Sequence, residues 1–196
     1  MPRPRTHSKD DLIHRAMERF WSHGYSATSM DDLVKATGIS RHGIYSDCGG
    51  KRALYLEGFA AYQHVVVSPA FAAIEQNTSG LSEIAAYFER QIALAAEMGL
   101  PGPGCLVANA MTEMAPHDPD VAAQVSAHNQ RLKSGFANAI SNEAPGMGRA
   151  DIDALADFLV LSAQGLWSMS RIVETPKPLR RHAETLLDLL KCRITK

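Results

Sequence analysis

Residues 28–51 read TSMDDLVKATGISRHGIYSDCGGK, and this stretch decides the fold. Thr28 with Asp31 has the spacing of a helix N-cap and its acidic partner. Leu33, Val34 and Ala36 give the short helix that follows its apolar side. Gly38 ends that helix, because the chain must leave the right-handed helical region there and a Cβ would clash. Ser40 caps a second short helix, RHGIYSD, which the Gly49-Gly50 pair breaks. Val34, Ile39 and Ile44 set the angle between the two helices.

The same periodicity extends on both sides. Upstream, Ser8 with Asp11 is a second capping pair. Leu12, Ile13, Ala16, Met17, Phe20 and Trp21 then recur at helical spacing until Gly24 stops the run. Downstream, a long helix is predicted from Lys51 to about Val67, ending before Pro69. Further helices are expected over about 70–76, 81–98, 105–115, 119–142, 150–171 and 178–193, divided by Gly- and Pro-rich turns. No alternating run supports a confident strand. The expected class is all-α: an N-terminal three-helix, helix-turn-helix unit over 1–50, then a helical bundle over 51–196, about nine helices in all.

Composition narrows the function classes. The 196 residues are 45% hydrophobic with a net charge of −1, so a globally basic nucleic-acid coat is absent. Residues 1–60 nevertheless hold nine Lys/Arg against seven Asp/Glu, while 61–196 hold eleven against fourteen. That bias suits a small DNA-reading module on an acidic body. Cys48, Cys105 and Cys192 form no CxxC pair, which argues against a disulfide framework or zinc site and fits a reducing cytoplasm. No signal peptide is expected from the polar start, and no apolar run reaches the ~18 residues of a transmembrane helix.

The second short helix carries the chemistry. Its start presents Ser40, Arg41, His42 and Gly43, the small and hydrogen-bonding residues that a helix entering the DNA major groove requires. Arg41 can donate a bidentate pair to guanine, and Gly43 lets the backbone approach base edges. Tyr45 can reach a phosphate, and Lys51 adds a charge at the next helix N-terminus. Thr28 and Ser29, at the start of the preceding helix, join the DNA-facing set. Each of these residues could instead belong to an ordinary solvated helix face. Arg3 and Arg5 offer a minor-groove arm, or a plain terminal tail.

At this point a resemblance is visible. Ala16, Phe20, Gly24-Tyr25, 28–33, 36–40, Ile44-Tyr45 and 51–55 stand as they do in the N-terminal domain of TetR-family repressors. Cys48 departs from the aromatic residue usual there. The resemblance implies an all-α homodimer that binds a palindromic double-stranded operator and carries a variable ligand-binding C-terminal domain. A weaker resemblance, at 104–109 and 113–119, is to the C-terminal domain of one TetR subgroup.

Beyond residue 60 the residues leave alternatives open. Phe59, Tyr62, Phe88, Met98, Met111, Met114, His128 and Trp167 suit an apolar effector pocket, or plain core. Cys105 at a helix start suits either a reactive thiolate or a small buried hydrophobe. His117 and His128 are too few and too far apart for a metal site, and no cofactor motif is present. Ile152, Leu155, Ala156, Leu159, Val160 and Ala163, then Ala183, Leu186, Leu187 and Leu190, form two stripes that suit a dimeric four-helix bundle. The rival function is a helical-bundle binding protein or enzyme with no DNA role. GxSxG, P-loop, HExxH and di-iron patterns are all missing.

Overall fold

A computed structural model describes residues 8–195, so Arg3 and Arg5 lie outside the described residues. Helices α1 (Lys9–His23), α2 (Met30–Thr37) and α3 (Arg41–Cys48) form the N-terminal unit. α4 (Lys51–Tyr62) runs through a π-helical turn, Gln63–Val67, into α5 (Ser68–Phe71). α6 (Leu81–Glu97), α7 (Leu106–Glu113), α8 (Pro119–Glu143), α9 (Arg149–Met169) and α10 (Lys177–Ile194) complete the body. No strand occurs among the described residues, and none of their helices is long and apolar enough to cross a membrane.

Two apolar cores organise these helices. The first joins Leu12, Ala16 and Phe20 of α1 to Leu33, Ile44, Tyr55, Phe59 and Tyr62, and continues into Leu106, Val107 and Val121. The second joins Phe71, Phe88, Ile92, Phe136 and Ile140 to Leu159, Leu186 and Leu190. α4 therefore packs beneath α1 with the N-terminal unit, so the first core runs across residue 50.

The long helix does not stop before Pro69. Proline lacks an N–H, and its ring clashes with the carbonyl four residues back. The π turn widens the helix ahead of it. The backbone N–H and the hydroxyl of Ser68 both donate to the Gln63 carbonyl, the latter at 2.9 Å.

The α9 and α10 stripes also differ from expectation. Ile152, Ala156, Leu159, Val160, Ala163, Ala183, Leu186 and Leu190 are buried within the protein's own second core. A different set is exposed on the two helices and the turn after α9: Phe158, Leu161, Met169, Ile172 and Leu189. Leu161 is 70% exposed.

Candidate nucleic-acid interface

The turn between α2 and α3 is held by side chains on both sides of Gly38. The α2 N-cap is Ser29, not Thr28. The Ser29 hydroxyl accepts from Asp32 N, and the Asp32 carboxylate accepts from Ser29 N at 2.9 Å. The Ser29 hydroxyl also donates to the Asp32 carboxylate at 2.7 Å, and this bond, with the one from Ser29 N, holds the Asp32 carboxyl below its ordinary range. Thr28 is fully buried and its hydroxyl donates to the Gly24 carbonyl at 2.7 Å, which removes it from the DNA-facing set. The Thr37 hydroxyl donates to Leu33 O and accepts from Ile39 N, and Gly38 sits at φ 74°. Ser40 caps α3 by accepting from Gly43 N at 3.1 Å.

This scaffold fixes which face of α3 meets solvent. Ile44 and Cys48 point into the core, while Arg41, His42 and Tyr45 are exposed, Tyr45 by 54%. Arg41 is paired with Asp31 at 2.9 Å, and both side chains are well exposed, so the pair is weak. Gly43 has a packing role that the sequence reading missed. A Cβ there would stand 2.8 Å from Ile39 Cγ2, in the turn itself. Gly50 does more than break the helix. At φ 117°, its absent Cβ leaves the space that the Tyr45 ring occupies.

Lys51 opens α4 and lies half-buried with Nζ 4.1 Å from the centre of the Tyr25 ring. Burial draws its pKa down, and the Glu113 charge opposes that shift. α4 has no side-chain N-cap bond, and Gly50 at its start lies against the Tyr45 ring.

Three long-range contacts tie this unit to the body, and none was legible in the sequence. Glu113 of α7 accepts from Tyr25 N and Ser26 N at 3.0 and 2.7 Å. Arg52 donates twice to Asp118 and once to Asp120, which pushes the Asp118 carboxyl down. Trp21 Nε1 donates to Gly104 O at 2.8 Å.

The residues expected to form an effector pocket divide. Tyr62, Cys105, His128 and Trp167 line one internal cavity between the α4 end, α6, α8 and α9. Phe59 and Phe88 are core residues of separate clusters. Met98 lines outer grooves, and Met111 and Met114 pack against the first core. Burial pushes the Cys105 thiol up, against the lowering expected of a helix start. The cavity is also lined by Gln91 and Gln164, which the sequence analysis did not single out.

Comparison with known proteins agrees with this architecture. The model of bacterial regulatory proteins of the tetR family matches residues 12–57, and a tetracyclin repressor-like C-terminal domain matches residues 80–186. The repressor ComR of Escherichia coli is 28% identical, with 95% of this chain and 90% of that protein covered. YezE of Bacillus subtilis, an uncharacterised regulator, is 27% identical over 91% and 94%. A cysteine mutant of the regulator CifR, solved with a 26-base-pair operator, superposes with a TM-score of 0.81 at 25% identity, covering 95% and 98%. The capped turn, the exposed α3 face and the two matched domains together identify the chain as a DNA-binding transcriptional regulator of the TetR family.

Proposed function

We propose that the protein is a repressor that holds a palindromic operator as a homodimer and releases it when a small molecule enters the body. The observation that carries this reading is the exposed row Arg41, His42 and Tyr45 on a helix locked by the capped turn. Arg41 and His42 read base edges from the helix start. Gly43 allows close approach, Ser29, Ser40 and Tyr45 meet the backbone, and Lys51 faces phosphate. Residues 1–50 form the reading unit, and 51–196 the effector and dimerisation unit.

The dimer forms through α9 and α10, the helices that carry the exposed Leu161, Met169 and Leu189. A groove of about 450 Å³ runs between them beside Phe158 and Pro178. A two-fold axis there sets the two α3 helices ~34 Å apart or a multiple of it, one turn of DNA. The effector lowers operator affinity by binding the non-operator arrangement better. The α4–π–α5 helix is the lever, because it borders the cavity at Tyr62 and carries Lys51 and Arg52 at its other end.

The test is a gel shift on DNA from upstream of the protein's own gene, with and without a panel of hydrophobic small molecules. Retarded DNA that is freed by a panel member supports the reading. No retardation overturns the DNA assignment. Retardation that no compound relieves overturns release by an apolar effector.

A further inference from the structure

The internal cavity is not a plain apolar pocket. Gln91 and Gln164 are 5% and 8% exposed, and each carries a buried polar atom with no partner, Nε2 of Gln91 and Oε1 of Gln164. The far end of Gln164 is fixed, since its Nε2 donates to Asn129 Oδ1 at 2.9 Å. Behind the cavity, Gln63 of the π turn pairs with His128 Nδ1 at 3.1 Å and leaves its own Nε2 unpaired. Buried polar groups are almost always satisfied, and two unpaired amide atoms on residues that line one cavity mark a place built for a polar guest. No Asp, Glu, Lys or Arg lines the cavity, so an ionised guest meets no counter-charge there. The rest of the wall sets apolar Val66, Val67, Leu132, Ala163 and Trp167 beside the polar tips of Tyr62, Tyr87, Cys105 and the uncharged His128.

We propose that this cavity binds an uncharged small molecule with an apolar body and one polar end, an alcohol or carboxamide, whose oxygen accepts from Gln91 and whose O–H or N–H donates to Gln164. This rests on the effector reading above and narrows its effector from simply apolar to neutral and polar at one end. The open space is about 20 Å³, room for roughly one water. A guest therefore enters by parting the walls, and the wall that holds Tyr62, Val66 and Val67 is the end of the lever helix with its π turn. The π turn is the least regular part of that wall and takes up the displacement.

The probes are benzyl alcohol, benzamide, benzoate, benzylammonium and toluene, which share one ring and differ in the polar end. Binding is measured by calorimetry on the full-length protein. Benzyl alcohol or benzamide binds about tenfold or more tightly than toluene and the charged probes. In Gln91→Leu and Gln164→Leu that advantage disappears while toluene binding is kept, and a wild-type melting transition confirms that each variant is folded. Equal binding of toluene or a charged probe, no binding by any probe, or an unchanged preference in the folded variants overturns the proposal. A parallel gel shift separates the two readings. Binding without operator release contradicts the effector role but leaves the pocket assignment standing. Operator release that both variants retain unchanged leaves the effector role standing and contradicts this pocket.

Discussion

In the proposed reading, Arg41 serves two states. Its ion pair with Asp31 joins two exposed side chains, so it contributes little to folding and the guanidinium is easily turned to DNA. Arg41→Ala is expected to leave stability within about 0.5 kcal/mol in a urea melt, while operator affinity falls by about 1–3 kcal/mol in a titration. His128 makes the opposite bargain. Burial, aided by the nearby Arg131 charge, lowers its pKa from 6.5 to about 4, so it folds uncharged. Below pH 6.5 the unfolded chain takes up a proton that the folded chain refuses. Stability is therefore lost as pH falls from 6.5 toward 4, by about 3 kcal/mol across the window. Urea melts through that range check it, and His128→Gln removes most of the slope. The carboxylates Asp32, Glu75 and Asp118 are also held low, and their contribution is lost at lower pH, from about 4.5 downward. At this scale the sequence reading slipped by one residue. Thr28-Ser29 and Asp31-Asp32 are two overlapping capping pairs, and local chemistry does not choose between them. Burial of Thr28 beneath the loop after α1 does.

At the scale of elements, most helices were legible, those of the body from the Gly- and Pro-rich turns that divide them, while the helix expected over 70–76 ends at Phe71. α1, α2 and α3 follow from Ser8, Gly24, Gly38, Ser40 and Gly49, whose effects are local. The π turn was not legible, because Pro69 signals a stop, and only the widened turn and the Ser68 hydroxyl let the helix pass it. Contacts between elements were equally hidden. Glu113, on α7, receives the N–H groups of Tyr25 and Ser26 from 87 or more residues away in the sequence. Its carboxylate also fills the place of a Gly24 side chain, with Oε2 2.9 Å from where that Cβ would be. Glu113→Ala removes the tie between α7 and the reading unit. The expected loss is about 1 kcal/mol, seen as a melting point about 2–4 °C lower.

For the whole molecule, the all-α class with an N-terminal helix-turn-helix unit was legible from periodicity and turn residues, while the expected boundary at residue 50 falls inside the first core. The sequence reading did not separate inward from outward faces of α9 and α10. A hydrophobic helix in a two-core bundle is apolar on more than one side, and position alone does not tell which side the chain buries itself. The residues left outside, Leu161 and Leu189 among them, form the proposed dimer face. Leu161→Glu places a charge in the centre of the proposed dimer face. It is expected to convert the dimer to monomer in size-exclusion chromatography, with the helical spectrum intact, and to lower operator affinity at least about tenfold.

The account turns on α3, and Tyr45 tests it most directly. Its ring lies against Gly50, outside both cores, so its loss leaves the fold in place. The measurement is fluorescence anisotropy of labelled upstream DNA titrated with wild-type protein and with Tyr45→Ala, the dimer of each verified by size exclusion. The account predicts saturable binding by the wild type and none by the variant at concentrations that saturate the wild type. Undiminished binding by a dimeric Tyr45→Ala protein would contradict it.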